Sequence, residues 1–306
     1  MTARPLYFDC SPGMAASLTP DLLALCPALE IAMGVTDRDA MIARLVEREI
    51  IVLGKTWLGV EDLVRAKRLR HIVFLGTGAS SYVDLAAAAA RGITVHVVPG
   101  YGSRAVAEHT LALIFACARQ VARMDREIRA GGFPSLSGME LAGKCLGLVG
   151  LGDIGAEVAR LGAALGMRII GWTRSGDPHG APVTMRPLDD VFHEADVVSL
   201  HVALTPETRG LVDARRFALM KPGSLFINTA RGAIVDEMAL VDALRSGRPA
   251  AAGLDVFIDE PPAPEHPLRR LDNVVLTGHA AFRTPEASRR LVARTFDIVN
   301  TLLSSR

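Results

Sequence analysis

Little in this sequence points outward. Its 306 residues carry a formal net charge of only +1 at pH 7, and no run of five or more Lys or Arg occurs. A chain that binds nucleic acid or an anionic membrane concentrates positive charge, so neither partner is expected. The four cysteines, Cys10, Cys26, Cys117 and Cys145, are scattered, with no C-x-x-C pair. They read as small buried apolar residues in a reducing compartment, and no metal site is expected. The longest uncharged apolar run, near residues 111–118, is too short to span a bilayer. Residues 1–13 lack a charged segment followed by an apolar one, so no signal peptide is expected. A cytoplasmic protein follows. No internal repeat or low-complexity stretch is evident.

What is present is apolar. Half of the residues are hydrophobic, and the length allows two domains with large buried cores. One stretch organises the rest: Gly-Leu-Val-Gly-Leu-Gly-Asp-Ile-Gly, residues 147–155. An apolar run feeds Gly150, Gly152 and Gly155 in G-x-G-x-x-G spacing, and a helical pattern follows. Gly150 permits the tight turn, Gly152 lets backbone approach a pyrophosphate, and Gly155 lets helix pack on strand. The helix N-terminus offers free N–H groups and a positive dipole end to phosphates. Strand, glycines and helix in that order make a dinucleotide site, where the glycines alone would not.

Before this stretch, strand candidates at 6–8, 50–53, 71–75 and 93–98 alternate with helical segments at 21–29, 37–48 and 85–91. Alternation implies a parallel sheet. Pro99-Gly100-Tyr101-Gly102 breaks the pattern. A long helix is expected from Arg104 to about Ala130. After the fingerprint, strands are expected at 168–172, 197–201, 224–228, 252–257 and 274–277, six in all with the one before Gly150, as in a doubly wound dinucleotide fold. A last amphipathic helix, 285–303, is expected to return to the first segment. The domains are therefore placed at 1–98 with 282–306, and at 99–281.

Open α/β sheets bind ligands at the carboxyl ends of their strands. Three ionisable groups follow strand candidates there. Arg231 lies in Asn-Thr-Ala-Arg-Gly, Glu260 follows 252–257, and His279 follows 274–277. An Arg fork can grip a carboxylate and polarise a neighbouring carbonyl. A His can give a proton near neutral pH, and a carboxylate behind it orients the ring. The set suits carbonyl reduction beside an anion. The plainer readings are a solvated loop charge for Glu260 and a structural role for a lone His. The other seven histidines are left in that structural class, although His201 ends a strand.

The strand 168–172 should end in an acidic residue for NAD. Here Thr173 stands in its place, and Arg174 could hold a 2′-phosphate with Thr173 and Ser175. NADP(H) is therefore expected over NAD(H). The alternative is that Arg174 stacks on adenine and NADH still works.

At these residues the chain resembles the D-isomer-specific 2-hydroxyacid dehydrogenase family. The resemblance is carried by residues 147–155, by Leu-His-Val-Ala-Leu-Thr-Pro-Glu-Thr-Arg-Gly-Leu-Val (200–212), Asn-Thr-Ala-Arg-Gly-Ala-Ile-Val-Asp (228–236), Ala-Gly-Leu-Asp-Val-Phe (252–257), Glu260-Pro261, Gly-His-Ala-Ala (278–281) and Val-Ala-Glu-His (106–109). It covers nearly the whole chain and is most specific from about residue 92 onward. It implies a Rossmann cofactor domain inserted into a smaller flavodoxin-like α/β substrate domain. It implies that Arg231 holds a 2-oxo acid, that His279 passes a proton to the carbonyl oxygen, and that Glu260 supports His279. The nicotinamide would deliver hydride to C2. Asp255 matches the residue that contacts the nicotinamide carboxamide. Gly78 and Ala79 match the loop that binds the substrate carboxylate, and Lys55 lies where some members keep a basic residue. Gly150, Gly152, Asp153, Ile154, Gly155, Thr173, Arg174, Ser175, His201, Thr205, Thr229 and Asp255 are the cofactor candidates. A homodimer through the cofactor domain is implied. The chain departs from the family at Gly278, where Pro is common, and at Ser80-Ser81.

Two other functions compete. A nicotinamide-sensing binding protein with little turnover is possible on this fold, but the full Arg/Glu/His set argues for an enzyme. A short-chain-type reductase needs Tyr with Lys four residues later. Tyr7, Tyr82 and Tyr101 are followed at that spacing by Ser11, Ala86 and Ala105, which discards it. The resemblance implies a D-2-hydroxy acid product, made as by a glyoxylate/hydroxypyruvate reductase or a phosphoglycerate dehydrogenase. Leu53 and Gly54 supply no second cation beside Lys55 for a phosphorylated substrate, and the acid reduced stays open among glyoxylate, hydroxypyruvate and larger 2-oxo acids.

Overall fold

The computed structural model describes residues 4–34 and 37–305. The chain divides into two compact units. One runs to Gly102 and resumes at Arg283; the other is Ser103–Phe282.

The first unit alternates strand and helix: β1 (Leu6–Cys10), α1 (Pro12–Ala15), α2 (Pro20–Leu23), β2 (Glu30–Met33), α3 (Arg38–Ala43), β3 (Ile50–Leu53), α4 (Val60–Arg65), β4 (His71–Phe74), α5 (Leu85–Ala90) and β5 (Thr94–His96). The strands form one parallel sheet in the order β2-β1-β3-β4-β5, the flavodoxin-like arrangement. Strand period explains how both faces are covered. In β3, Ile51 and Leu53 join Leu63 and Ala88 on one face. Ile50 and Val52 join Val292, Phe296 and Val299 on the other. Those last three belong to the C-terminal helix Pro285–Ser304, started by the Thr284 hydroxyl accepting from Ala287 N–H.

Two differences from the sequence reading appear here. Residues 21–29 do not form one helix. Helix stops at Leu23, ahead of Pro27, and the chain turns into β2, a half-buried strand whose four residues carry no β-rich run. The helix expected over 37–48 ends at Ala43.

Asp9, in β1, is 8% exposed and accepts from the N–H groups of Gly54, Lys55 and Thr56 at 2.7, 2.8 and 2.9 Å. One buried carboxylate thus fixes the loop after β3.

The second unit comprises α6 (Ser103–Ala118), α7 (Val121–Arg129), β6 (Cys145–Val149), α8 (Asp153–Ala164), β7 (Arg168–Trp172), β8 (Thr184–Met185), α9 (Leu188–Glu194), β9 (Val197–Leu200), α10 (Ala214–Leu219), β10 (Leu225–Asn228), α11 (Glu237–Arg245), β11 (Ala251–Leu254) and β12 (Val274–Leu276). Its sheet is parallel throughout, ordered β12-β11-β10-β9-β6-β7-β8. This is the doubly wound Rossmann order about β6, with one further strand outside β11. Seven strands replace the six expected, because β8 is a two-residue edge strand with no apolar run to announce it.

The long helix expected over 104–130 is two helices. Gln120 adopts a left-handed conformation, φ 52°. The cause is tertiary. The Ala118 carbonyl accepts from Met139 N–H at 2.7 Å, and Gln120 Nε2 donates to Ser137 O at 2.7 Å. Neither glycine nor proline marks the break.

All four cysteines are buried, and burial pushes the Cys117 thiol up to about 12. Among the described residues, no helix is long and apolar enough to cross a membrane.

Replacing Asp9 with Ala orphans three N–H groups. This should cost about 2–4 kcal/mol, read as a lower apparent Tm; an unchanged Tm would show that water satisfies the loop.

Candidate active site

The glycine turn is built as its spacing requires. Gly150 has φ 104°, and a Cβ there would lie 2.6 Å from the His201 carbonyl. A Cβ on Gly155 would overlap the Gly150 carbonyl. Nothing lies within 4 Å of a Cβ built on Gly152, the N-cap of α8, so backbone stays open to a ligand. Asp153 and Ile154 form the first turn of α8. The turn lies between β6 and β9, where strand order reverses, and an open α/β sheet binds its ligand at that switch point. These residues fit a dinucleotide.

His201 follows β9. Its Nε2 lies 2.9 Å from Ser199 Oγ, and burial pushes the ring down to about 3, so it is neutral at physiological pH. Thr205 lies in a turn, where its N–H donates to Thr208 Oγ1 at 2.8 Å. Past β7, Thr173 is half-buried while Arg174 and Ser175 are exposed. The Thr205 hydroxyl first, and the Arg174 charge with it, hold the Glu207 carboxyl below its ordinary value.

The reacting candidates sit past three neighbouring strands, Arg231 after β10, Glu260 after β11 and His279 after β12. His279 Nδ1 lies 2.6 Å from Glu260 Oε2. The side chains are 29% and 34% exposed, so neither is sealed from a ligand. Burial pushes the Glu260 carboxyl up, but the His279 hydrogen bond and charge, the Phe257 N–H and Arg231 together outweigh it and hold it below its ordinary value. Nδ1–H donates to the carboxylate, leaving Nε2 as the atom that can exchange a proton. Arg231 NH1 donates to the Ala230 carbonyl at 2.6 Å. Gly232, next in chain, lies against the 257–258 backbone; a Cβ there would overlap Phe257.

His279 has φ 50°, unusual for a side-chain-bearing residue. Asp255 holds it so. This carboxylate is fully buried and accepts from Ala280 N–H and Ala281 N–H, both at 2.9 Å, and from the Thr277 hydroxyl at 2.6 Å. Its own carbonyl accepts from His279 N–H at 2.7 Å. The Glu260 loop is tied separately, with Glu237 accepting from Ile258 N–H at 2.7 Å and pairing with His266 Nε2 at 3.1 Å.

Helix α6 touches both remaining loops. His109 Nε2 is 3.0 Å from Thr277 Oγ1, and Thr110 Oγ1 is 3.0 Å from Thr229 Oγ1. Sequence reasoning left His109 and His266 as structural and passed over Thr110, Thr277 and Glu237. Only His109, inside Val-Ala-Glu-His, carried a signal.

Lys55, Gly78 and Ala79 belong to the first unit. Lys55 is exposed, in the loop that Asp9 holds, and Ala79 opens a 3₁₀ turn, Ala79–Ser81, after β4. Leading N–H groups of such a turn lack intrahelical partners.

Residues 111–281 match the family described as D-isomer specific 2-hydroxyacid dehydrogenase, NAD binding domain. A hydroxypyruvate reductase of Thermotoga maritima is 39% identical over 268 residues, 86% of this chain and 87% of that protein. A D-3-phosphoglycerate dehydrogenase of Mycobacterium leprae is 41% identical over 264 residues, 83% of this chain; the chain spans 49% of that longer protein. Among solved structures, an acyclic imino acid reductase in complex with NADPH and D-Arg has a TM-score of 0.90 at 27% identity, covering 98% of this chain and 97% of that one. A D-lactate dehydrogenase of Aquifex aeolicus, complexed with NAD and lactic acid, has a TM-score of 0.83 at 29% identity, covering 98% and 96%. The chain belongs to the D-isomer specific 2-hydroxyacid dehydrogenase family.

Proposed function

We propose that Arg231, Glu260 and His279 carry the D-2-hydroxyacid dehydrogenase activity of this family member, on a small 2-oxo acid such as glyoxylate or hydroxypyruvate. The observation that carries the reading is the 2.6 Å pair between His279 Nδ1 and Glu260 Oε2. It fixes the ring and its tautomer and aims Nε2 away from the carboxylate. In the reducing direction Nε2 gives its proton to the carbonyl oxygen as C2 becomes tetrahedral, and in the reverse direction it takes the proton back. Arg231 grips the substrate carboxylate and draws charge toward the neighbouring carbonyl oxygen. A bound nicotinamide supplies or accepts the hydride. On the first unit, Lys55 and the backbone N–H groups at Gly78 and Ala79 are the groups suited to an anionic ligand.

The nucleotide is held at Gly150, Gly152, Asp153, Ile154 and Gly155, with α8 behind the pyrophosphate. His201, Thr205 and Thr229 line the remaining strand ends. Asp255 meets the carboxamide through whatever acceptor capacity its three donors leave. At the ribose, Thr173, Arg174 and Ser175 favour NADPH, since no carboxylate ends β7 to bind a free 2′-hydroxyl.

A homodimer forms through the second unit. Phe115, Val121, Ile128 and Phe133 of α6, α7 and the following loop are 42%, 53%, 51% and 95% exposed, an apolar set that a second copy would cover.

Substituting His279→Asn should lower kcat about 10²- to 10⁴-fold with NADPH binding retained. Undiminished turnover would refute the role; an unsubstituted chain that binds NADPH but turns over no 2-oxo acid would favour the binding protein. A panel of 2-oxo acids assayed with both cofactors should give a higher kcat/KM with NADPH, and Arg174→Ala should narrow the difference; a clear NADH preference defeats the cofactor assignment. Light scattering should return twice the 32.6 kDa chain mass, and a monomer would overturn the dimer.

A further inference from the structure

The two hydrogen bonds from α6 are both one-way. Thr277 gives its hydroxyl proton to Asp255 at 2.6 Å, so only a lone pair remains for His109, and His109 Nε2 is the donor at 3.0 Å. Thr110 gives its proton to Val106 O at 2.8 Å, so it accepts from Thr229 at 3.0 Å. The first bond ends on the loop of His279, the second on the loop of Arg231. They leave the helix from adjacent residues.

The helix is a firm support. Its Leu113, Ile114 and Cys117 are buried in the same cluster as Leu146, Leu225 and Ile227 of the sheet. It lies directly on β11, where a Cβ added to Gly253 would come within 2.9 Å of Leu113 Cβ. Asp255 directly follows that strand. A Thr back-bonded to its own helix is already satisfied as a donor, so the Thr229 contact is not needed to hold α6 together. Likewise His109 is 25% exposed and could hydrogen-bond water instead.

We propose that His109 and Thr110 are positioning residues that fix the spacing and aim of His279 and Arg231, with α6 as their common brace. The proposal rests on the roles given above to those two side chains. The role assigned to His109 is that of a hydrogen-bond donor; its Nε2 also lies 3.6 Å from Asp255 Oδ1. A non-titrating donor of equal reach therefore replaces it. Gln offers an N–H near the Nε2 position; Leu fills the space without one. At Thr277, Ser keeps the hydroxyl and Val keeps only the shape.

The test uses the full-length protein with NADPH and its best 2-oxo acid. His109→Leu and Thr277→Val should each lower kcat about 10- to 100-fold, the scale of a misplaced reacting group. The Kd for NADPH, read from nicotinamide fluorescence, should stay within about twofold, since neither change removes a nucleotide contact. His109→Gln and Thr277→Ser should recover most of the loss. Thr110→Val should raise KM for the oxo acid more than it lowers kcat, because Arg231 is the group displaced.

Full kcat in His109→Leu and Thr277→Val would overturn the proposal. So would equal losses in the Gln and Ser variants, or an NADPH Kd rising in step with the fall in kcat. If His109→Leu does not fold, the Thr277 pair decides alone. His279→Asn separates the two readings. If it abolishes turnover while the brace variants do not, only the brace falls; if it leaves turnover intact, the assigned acid falls first.

Discussion

The candidate site depends on one buried carboxylate. Asp255 directly follows β11, the strand beside the edge strand β12, and lies out of reach of water. A carboxylate in that setting is costly unless donors replace its hydration. Here the donors are two consecutive N–H groups and one hydroxyl of a single short loop. The need to satisfy the charge and the left-handed shape of His279 are therefore one constraint. Released from Asp255, the loop would have no reason to keep a side-chain-bearing residue at φ 50°.

The first unit uses the same device for a different loop. Asp9 gathers the N–H groups that follow β3, as Asp255 gathers those that follow β12. In each case a carboxylate on or just past the strand beside a sheet edge shapes the connection past a neighbouring strand's carboxyl end. Parallel sheets place their ligand-facing loops at that edge, and such loops have few backbone partners of their own. A short buried acid supplies them without closing the edge to a ligand. Glu237 and His266 do similar work for the loop of Glu260, from a helix start instead of a strand.

Much of this could be read from the residues alone. The glycine spacing names its own turn, because only glycine tolerates φ 104° beside the His201 carbonyl. Long apolar strands such as β6 and β7 were legible for the same reason that they are central: both faces are buried. The edge strands β2 and β8 were not, because a half-covered strand of two to four residues leaves no pattern. The break at Gln120 was invisible because its cause lies near residues 137–139. Arg231, Glu260 and His279 stood out as charges after strands. Thr110 and Thr277 did not, and His109 only as the end of Val-Ala-Glu-His, since the partners that α6 and these loops offer each other are more than a hundred residues apart. No local rule reports such a pairing.

Gly232 shows how far this tightness extends. Its α-carbon rests on the backbone that leads to Glu260, so the loops of two of the candidate side chains meet main chain to main chain. No methyl group fits between them. The position is therefore closed to every other amino acid, though it offers no functional group of its own. A side chain introduced here would have to displace the 257–258 main chain, and with it the segment that carries Glu260.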